Sequence, residues 1–373
     1  IGAGGRGSGM WGKGVKDKWG DTVEFVALCD PNRKRAEVVR EIIGVSCPIF
    51  TDFDRMVKEA RPDVVAITTV DAYHAEYIVR ALDLGIDVIT EKPMTTDEKQ
   101  TQLVIDAEKR NNRKIIVGHN MRFAPAHVRI KELLLSQPIG PIRSVDFHWY
   151  LDTSHGTDYF RRWHALKDKS GSLWVHKATH HFDYVNWLLD AEPVQVQAYG
   201  DIKRYGKAGP YRAKNCRSCQ HTTACTFYWD MTKSASAMRL YGGEVEAADG
   251  YLRDACVFRP EVTTYDTMTA TIKYSNDVIL SYSLNAYLPI EGHSLAFNGD
   301  FGRIEIRDYA TQPFDVPRQT EVYVIKGGTR TAVDVPTVAG EHGGADDALR
   351  NLIFRRPQVA DHLRIPDSRA GAM

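Results

Sequence analysis

The chain has 373 residues, of which 43% are hydrophobic and 26% are charged, and its 48 basic side chains are balanced by 48 acidic ones. This length exceeds what one hydrophobic core usually serves, so two domains are expected. The balanced charge and the lack of a long basic block argue against a nucleic-acid partner, and no apolar run reaches the roughly 18–20 residues of a membrane helix.

The first residues form a glycine-rich motif. In IGAGGRG, Gly2, Gly4 and Gly7 fit the pattern G-x-G-x-x-G, which binds a dinucleotide when it stands between a strand and a helix. Almost no strand precedes the motif here, so we expect the natural protein to have residues upstream of Ile1. A signal peptide would lie there, so the localisation stays open between the cytoplasm, which is the default, and the periplasm.

A strand, VEFVALCD, follows after a helix-length gap and ends in Asp30, 23 residues after Gly7. This is near the spacing at which an acid holds the adenosine ribose hydroxyls of a dinucleotide. The glycines let the backbone approach the pyrophosphate, and the helix N-terminus stabilises its charge. The cofactor NAD is favoured over NADP because a carboxylate repels a 2′-phosphate, although Arg33, Lys34 and Arg35 act against that preference.

Helices and strands then alternate as far as residue 120. The predicted helices are AEVVREII, FDRMVKEA, HAEYIVRALDLG and DEKQTQLVIDAEKRN, and the predicted strands are PIFTDF, DVVAITT, IDVITEKP and KIIVGHN. This alternation predicts a parallel, doubly wound α/β sheet, a Rossmann domain over residues 1–121, whose ligand lies beyond the carboxyl ends of the strands. The expected cofactor-binding residues are Gly2, Gly4, Gly5, Arg6, Gly7, Asp30, Thr68, Thr69, His74, Glu91, Lys92 and Asn120.

With EKPM at 91–94, the chain resembles the Gfo/Idh/MocA family, which includes glucose–fructose oxidoreductase and inositol dehydrogenase. The resemblance covers nearly the whole chain and is carried by the glycine loop, TTVDAYHAE, EKP, GHNMRFAP and a histidine-bearing helix near residue 180. It implies an α/β Rossmann nucleotide-binding domain followed by an α+β domain with a large open, mostly antiparallel sheet. It also implies an NAD(P)-dependent oxidoreductase acting on CH–OH groups, and a homo-oligomer, dimer or tetramer, formed through that sheet.

The later sequence agrees with such a second domain. The segments RSVDFHWYL, VQVQAYG, MTATIKYS, VILSYSLNAY, SLAFNGD and GRIEIRD are typical of strands. They follow one another too closely for helical crossovers, and SND at 275–277 is typical of a hairpin turn, so we predict an antiparallel meander. We assign residues 122–340 to this substrate and oligomerisation domain, with an insertion at about 200–262, and residues 341–373 to a C-terminal tail.

The segment VHKATHHFD, residues 175–183, contains three histidines and a lysine. The resemblance implies that His180 accepts and donates the proton and that Lys92 contacts the reacting hydroxyl, whereas His176 stands where the family has an aspartate. A neutral imidazole can accept a hydroxyl proton, and an ammonium group can stabilise the alkoxide that forms. We expect Lys92, His180 and His176 to be catalytic. Zinc bound at H-x-x-x-H on one face of a helix, or a polar helix surface, are the alternatives.

The segment YFRRWH at 159–164 supplies aromatic rings and two guanidinium groups shortly before this helix. Such side chains suit the hydroxyl edge and the C–H face of a sugar, whereas the alternative is an ordinary surface loop. His181 and Asp183 also have a structural interpretation, and Arg122 is expected to be structural or at the edge of the pocket. The expected substrate-contacting residues are Tyr159, Arg161, Arg162, Trp163, His164, Lys177 and His181.

The insertion contains four cysteines: Cys216, Cys219 and Cys225 in NCRSCQHTTACTFYW, and Cys256 in RDACVF. A C-x-x-C pair with two further ligands suits a structural zinc site, which would staple a segment with little regular periodicity. A disulfide and free thiols are the alternatives, and a disulfide would indicate an exported protein. We expect a metal or a disulfide to join at least two of these cysteines.

The sequence leaves two enzymatic functions open. The first is an NAD-dependent oxidoreductase that oxidises or reduces a secondary hydroxyl of a sugar, glycoside or cyclitol. The second is an NAD-dependent glycoside hydrolase that works by transient C3 oxidation and elimination, with which the unusual HKATHH helix and the large insertion are compatible. A non-catalytic sugar-binding protein is a third alternative, and in each case the partner is a small-molecule carbohydrate.

Overall fold

The nucleotide-binding half of the fold comes first in the chain. The computed structural model describes residues 1–313 and 320–373, so residues 314–319 of the predicted second domain lie outside the described residues. The first five strands are Leu28–Cys29 (β1), Ile49–Phe50 (β2), Val64–Ile67 (β3), Asp87–Thr90 (β4) and Ile115–Val117 (β5). They form two parallel ladders, β1–β2 and β3–β4–β5. The backbone of Ile1 and Gly2 hydrogen-bonds to Thr68 and Cys29 and so joins the two ladders.

Helices alternate with these strands, as predicted. They are Gly5–Ser8 (α1), Gly14–Trp19 (α2), Arg33–Ile43 (α3), Phe53–Ala60 (α4), His74–Asp83 (α5) and Glu98–Asn111 (α6), with a π-helical turn, Gly9–Lys13, between α1 and α2. The side chains of Asn32, Asp52 and Asp97 cap α3, α4 and α6, each accepting a hydrogen bond from the backbone N–H three residues later. The parallel arrangement places the carboxyl ends of the strands at one edge, where the ligand of such a sheet binds.

The second half contains an eight-stranded, mostly antiparallel sheet. Its strands are Ile142–Asp152 (β6), Pro193–Asp201 (β7), Thr267–Tyr274 (β8), Ile279–Leu288 (β9), Glu291–Gly299 (β10), Gly302–Thr311 (β11), Thr320–Lys326 (β12) and Thr329–Val333 (β13), in the order β13-β12-β11-β10-β6-β9-β8-β7. The predicted meander is confirmed for β7–β8–β9 and for β10 to β13. It is interrupted by β6, which lies between β9 and β10 and pairs in parallel with β9, because a long helical connection separates β6 from β7.

Helices cover the inner face of this sheet and extend beyond it. They are Pro125–Leu135 (α7), His155–Arg161 (α8), Lys167–Ser170 (α9), Leu173–His176 (α10), Ala178–Leu189 (α11), Ala235–Tyr241 (α12), Glu244–Asp249 (α13), Ala345–Arg355 (α14) and Ser368–Ala372 (α15). Tyr184 and Leu188 of α11 share a buried core with Phe147 of β6 and Tyr282 of β9. None of the helices in the described ranges is both long and apolar enough to cross a membrane.

Edge strand β7 leaves apolar side chains in contact with solvent. Val194, Val196 and Tyr199 are 60%, 64% and 71% exposed, far more than expected for a strand of a two-layer domain. The oligomer expected to form through this sheet stays a prediction. The exposed apolar side chains of β7 are the part of the sheet suited to contact another subunit.

The C-terminal segment packs on the nucleotide-binding half. Leu349, Leu352 and Ile353 of α14 share a buried core with Met10 and Trp11. The boundary predicted at residue 341 stays a prediction. However, α14 contributes to a hydrophobic core of the nucleotide-binding half, so it is more than a peripheral tail.

Candidate active site

The glycine loop closes tightly against the ends of β1 and β3. A Cβ atom at Gly7 would lie 2.3 Å from the carbonyl oxygen of Gly2, and one at Gly2, whose φ is +89°, would lie 2.7 Å from the backbone of Thr68. Neither position has room for a side chain. The Gly5 amide, at the start of α1, donates a 3.0 Å hydrogen bond out of the helix to the hydroxyl of Tyr241.

Asp30 directly follows β1 and lies beside this loop. Its buried carboxylate accepts hydrogen bonds from the backbone N–H groups of Ala3 (2.7 Å) and Asn32 (2.8 Å). A carboxylate at a strand end, a glycine cradle and an outward-pointing helix amide together fit the ribose and pyrophosphate of a dinucleotide. The loop and Asp30 are therefore the residues that would hold the adenosine half of NAD.

The polar side chains after β3 are bonded to nearby backbone. The Thr68 hydroxyl donates to the carbonyl oxygen of Gly2 at 2.6 Å. The two ring nitrogens of buried His74 lie 2.7 Å from the carbonyl oxygen of Pro93 and 3.2 Å from that of Thr69. Both residues thus position the backbone around the cofactor site, and their direct contact with the cofactor stays a prediction.

A buried ionic network joins the ends of β4 and β5 to the C-terminal helix. The Glu91 carboxylate accepts hydrogen bonds from Arg6 Nε and Trp11 Nε1, both at 2.8 Å. Arg6 also lies 3.3 Å from Asp346 of α14, to which Asn120 donates a hydrogen bond. Burial alone would raise the pKa of Glu91, but the charges of Arg6 and Lys92 and the hydrogen bonds from Trp11 and Arg6 together outweigh it and lower that pKa. The cofactor-binding edge is therefore braced by an ionised carboxylate.

Lys92 crosses from the nucleotide-binding half to the second half. Its ammonium group donates a 2.8 Å hydrogen bond to the carbonyl oxygen of His176, at the end of α10. Burial lowers the pKa of Lys92, whereas the charges of Asp71 and Glu91 act to keep it protonated. A cationic donor is thus fixed in the cleft between the two halves.

The same hydrogen bond accounts for a break in the helical segment at Lys177. Because α10 ends at His176 and α11 begins at Ala178, the single helix face on which a zinc site could combine His176 and His180 is interrupted. The carbonyl of His176 accepts from Lys92, and the His180 amide bonds to Lys177 at 3.3 Å instead. The two imidazoles are therefore carried by different helices.

His176 has a carboxylate partner from the other half. Its Nδ1 lies 2.6 Å from Oδ2 of Asp71, and both side chains are buried. Burial lowers the pKa of His176, an effect that the charge of Lys92 strengthens, and burial raises the pKa of Asp71. Both shifts favour uncharged groups, so one proton is held between the two atoms.

His180 lies in the first turn of α11, with its ring 6.3 Å from the ring of His119. Among the described residues its buried Nδ1 has no hydrogen-bond partner. Burial, followed by the charges of Lys92 and Lys177, lowers the pKa of His180 well below its usual value. The imidazole is therefore neutral at neutral pH and able to accept a proton.

Three of the predicted substrate residues surround His176. Trp163 stacks on His164 with ring centroids 3.7 Å apart, and His164 lies 4.1 Å from the His176 ring. The Tyr159 ring lies 5.5 Å from the same imidazole. Arg162 is a few residues away and pairs with Asp158 at 3.3 Å.

A second group of aromatic and imidazole rings adjoins Lys177. Trp149 stacks on His181 at 3.9 Å and on His293 at 4.8 Å, and the Lys177 ammonium lies 5.1 Å from its ring. Several buried ring nitrogens in these two groups have no hydrogen-bond partner in the described parts of the chain: Trp149 Nε1, His164 Nδ1, His181 Nε2 and His293 Nε2. Buried unpaired polar atoms cost free energy until a ligand or water satisfies them.

Two arginines have structural positions. Arg161 donates a 3.1 Å hydrogen bond to the sulfur of Cys216 and another to the carbonyl of Phe227, so the structure does not bring it to Lys92. Arg122 forms a buried ion pair with Asp183, with one contact at 2.7 Å, in agreement with the structural role expected for it.

The predicted zinc site is not supported. Cys216, Cys219, Cys225 and Cys256 line one small cavity. However, all six cysteines are free thiols, and no group of three or more His, Cys, Asp or Glu in residues 1–313 and 320–373 could hold a metal ion. The C-x-x-C pair instead forms a tight turn, in which the Cys219 amide donates to the Cys216 carbonyl at 3.1 Å.

Sequence reasoning missed several residues of the site. Asp71 lies two residues after the strand-end threonines in TTVDAYHAE, a position that could have identified it. Tyr241, Asp346, Trp149 and His293 gave no such signal, because only the folded chain brings them to the glycine loop or the histidines.

Replacing Asp30 with alanine is expected to weaken NADH binding. Loss of a charge-assisted ribose contact costs about 1.5–3 kcal/mol, which corresponds to roughly 10–100-fold in the dissociation constant. Fluorescence titration with NADH and NADPH measures the change, and NADPH should be affected less. Asp106→Ala, at an exposed position of the same half, is the control, and equal affinities in Asp30→Ala and the control would contradict the assignment.

Replacing Lys177 with methionine is expected to stabilise the protein at neutral pH. Burial lowers the pKa of Lys177 to about 8 from 10.5. The folded state therefore carries the full cost of the charge below pH 8, and the cost is relieved as pH rises from 8 to 10.5. The gain should be about 1–2 kcal/mol at pH 7 and should shrink by pH 10. Urea unfolding at both pH values tests this. Exposed Lys109→Met is the control, and a gain independent of pH would contradict the explanation.

Comparisons with known proteins identify the class that this fold and site define. The family description "Oxidoreductase family, NAD-binding Rossmann fold" matches residues 1–119, and "Oxidoreductase family, C-terminal alpha/beta domain" matches residues 131–372. The protein is an oxidoreductase with an NAD-binding Rossmann domain. The chain belongs to the Gfo/Idh/MocA family, as the sequence resemblance predicted.

Three relatives illustrate the range of similarity. The chain is 35% identical to the oxidoreductase YteT of Bacillus subtilis over 97% of its own length and 89% of that protein. It is 26% identical to an inositol 2-dehydrogenase/D-chiro-inositol 3-dehydrogenase of Lactiplantibacillus plantarum, over 48% of each chain. In fold it is similar to the WlbA dehydrogenase from Bordetella pertussis, solved with NADH and UDP-GlcNAcA, with a TM-score of 0.63, 14% identity and coverage of 100% of this chain and 90% of that chain.

Proposed function

We propose that the protein uses NAD to oxidise or reduce a secondary hydroxyl of a sugar, glycoside or cyclitol, with Lys92 and His180 at the reacting hydroxyl. The observation that carries the proposal is the position of the Lys92 ammonium group. It is bonded to the His176 carbonyl at 2.8 Å, and its charge acts on the pKa values of Asp71, His176 and His180. A cation and neutral imidazoles are therefore held close together. They lie where the carboxyl ends of the strands of the nucleotide-binding half meet the second half.

In this proposal the side chains handle the proton and the negative charge. The substrate hydroxyl gives its proton to the neutral imidazole of His180, and the Lys92 ammonium stabilises the oxygen as it becomes negative. His176 orders the Lys92 ammonium through its carbonyl and is itself oriented by Asp71. A bound NAD would supply the acceptor of the hydride that leaves carbon, or its donor in the reverse direction.

The substrate class rests on the character of the cleft. The unpaired ring nitrogens of His164, Trp149 and His293 can form hydrogen bonds with several hydroxyl groups. The stacked aromatic rings offer apolar faces to C–H groups. The names of two relatives, an inositol dehydrogenase and a dehydrogenase solved with a UDP-sugar, agree with a polyhydroxylated ring.

The test is to incubate the purified chain with NAD and a panel of cyclitols, aldoses, uronic acids and aryl glycosides, and to follow NADH absorbance. Sustained NADH formation with at least one cyclic polyol supports the proposal. If NADH binds but no member of the panel is oxidised, and the corresponding ketones are not reduced, the proposed substrate class is wrong.

A second candidate is the redox-neutral glycoside hydrolase. The observation that favours it is the contact of Tyr241, in the insertion, with the glycine loop. The insertion would cover a bound cofactor there and slow its exchange, and a redox-neutral enzyme keeps its cofactor bound. Release of the aglycone from an aryl glycoside without accumulation of NADH, in the same incubation, would select this candidate over the dehydrogenase.

A further inference from the structure

The segment inserted between β7 and β8 covers the adenosine end of the nucleotide-binding half. Leu240 of α12 is buried in one small core with Ala3, Ala36 and Ile43 of that half. The next residue, Tyr241, accepts the hydrogen bond of the Gly5 amide at 3.0 Å. The segment therefore lies beside the loop and the carboxylate that would hold the cofactor.

Polar contacts fix the end of α13 beside the strand end that carries Asp30. The Asn32 amide group donates to the Val245 carbonyl and to the Asp249 carboxylate, both at 2.8 Å. Nearer the start of the same helix, Lys34 forms an ion pair with Glu244 at 3.1 Å. Asp249 is thereby brought next to the residues that follow β1, where the second ribose hydroxyl of the adenosine would bind.

The side chain that Asp249 engages is Arg35. Arg35 Nη2 lies 2.7 Å from Asp249 Oδ2, and Nη1 lies 3.9 Å from Asp30 Oδ1. The guanidinium group also lies 5.6 Å from the Tyr241 ring and 6.0 Å from the Tyr251 ring, and the side chain is only 11% exposed. Arg35 is therefore held by the insertion on several sides.

The charges around Asp30 and Arg35 decide which of the two nicotinamide cofactors, NAD or NADP, binds more tightly. An arginine just after the strand end is the usual ligand of the 2′-phosphate of NADP, because its planar fork matches a phosphate. Here one guanidinium group faces two carboxylates, Asp30 and Asp249, which leaves a net negative charge. A 2′-phosphate would meet this charge and an arginine that is already paired, whereas the ribose hydroxyl of NAD needs only an acceptor.

We propose that Asp249, carried by the insertion, is a specificity-determining residue that selects NAD over NADP by holding Arg35 in an ion pair. Asp30 supplies one acceptor of the ribose, as in the proposed function on which this inference rests. Asp249 adds a separate effect, because its ion pair occupies the Arg35 guanidinium group. That group would otherwise neutralise the charge of a 2′-phosphate.

The test measures binding and does not depend on turnover. Dissociation constants of NADH and NADPH are determined by fluorescence titration of the full chain and of Asp249→Asn, which keeps an acceptor for Asn32 but removes the charge. The ratio of the NADPH constant to the NADH constant is expected to fall at least about tenfold, since a tenfold change corresponds to the loss of one modest charge pair. In the double variant Arg35→Ala/Asp249→Asn the gain should disappear, because it requires the released guanidinium group.

Two further variants keep the inference testable if Asp249→Asn folds poorly. Glu246→Gln removes a charge from the same helix, but Glu246 pairs with Arg217 at 2.6 Å within the insertion, so its cofactor ratio should match the wild type. Arg35→Ala in the wild-type background should not improve NADPH affinity, because it leaves Asp30 and Asp249 as unpaired carboxylates.

The outcomes separate this inference from the proposed function. A ratio in Asp249→Asn within twofold of the wild type overturns the role of Asp249, as does a gain that persists in the double variant. A ratio that falls as far in Arg35→Ala alone as in Asp249→Asn would also overturn it, because the released guanidinium group would then not be the source of the gain. If the wild-type chain binds neither nucleotide, the cofactor assignment itself has failed.

Discussion

Replacing Lys92 with methionine is expected to lower kcat by about 10²–10³-fold, the usual effect of removing a preorganised donor from a developing oxyanion. Methionine preserves most of the volume of the side chain but cannot donate to the His176 carbonyl, which now accepts the ammonium at 2.8 Å. NADH affinity should change by less than about threefold, because the proposed contact is with the substrate oxygen. Steady-state kinetics on the substrate found in the panel, together with NADH titration, measure both quantities.

Lys131→Met is the matched control. Lys131 is also buried and also donates to a backbone carbonyl, that of Trp187 at 2.7 Å, but it lies behind α11 and away from the cleft. Its replacement should reduce the free energy of unfolding and leave kcat unchanged. If Lys92→Met keeps more than a tenth of the wild-type kcat, or if both variants lose activity equally, Lys92 is structural and the assignment is wrong.

The parts of the fold that sequence reasoning predicted are those with local signals. The helices Arg33–Ile43 and Phe53–Ala60 have 3.6-residue periodicity and side-chain caps, and both appear close to the predicted positions. Asp30 was placed correctly because a strand end and a glycine loop are linked by a fixed spacing. Periodicity and capping act over a few residues, so they can be read from one stretch of chain.

The parts that were missed depend on contacts between distant residues. The partner of His176, Asp71, is 105 residues away, and Asp346 meets Asn120 across 226 residues. Tyr241 reaches Gly5 across 236 residues, from an insertion with little regular periodicity. No local pattern encodes such pairings, so the sequence revealed the histidines and the lysine of the site but not the carboxylates that orient them.

The cysteine cluster shows how an ambiguous pattern can mislead. A C-x-x-C spacing is common among zinc ligands, but the same spacing fits an ordinary turn. Here the turn is formed, and the Cys216 sulfur accepts a hydrogen bond from Arg161. Spacing limits which ligands can meet but does not show that they do.

Replacing His180 with alanine is expected to lower kcat by about 10²–10⁴-fold, the range for loss of a general base. NADH affinity should stay within about threefold, since the imidazole is proposed to contact the substrate hydroxyl. The wild-type pH profile gives an independent check. Because burial and the charge of Lys92 lower the pKa of His180 well below 6.5, the ring loses its ability to accept a proton only at lower pH. The acid limb of kcat/KM should therefore lie below pH 6.5.

Asp71→Asn distinguishes His180 from the other candidate base. Asparagine keeps the shape of the side chain 2.6 Å from His176 but removes the carboxyl group that shares a proton with it. If His176 only orders Lys92 and the substrate, Asp71→Asn should lower kcat roughly tenfold, as expected for one buried hydrogen bond of about 1.4 kcal/mol. The pH profile should then keep its acid limb, because His180 still titrates. If Asp71→Asn instead loses turnover as completely as Lys92→Met, while His180→Ala keeps more than a third of it, the proton goes to His176 and the Asp71–His176 pair is the acid–base group.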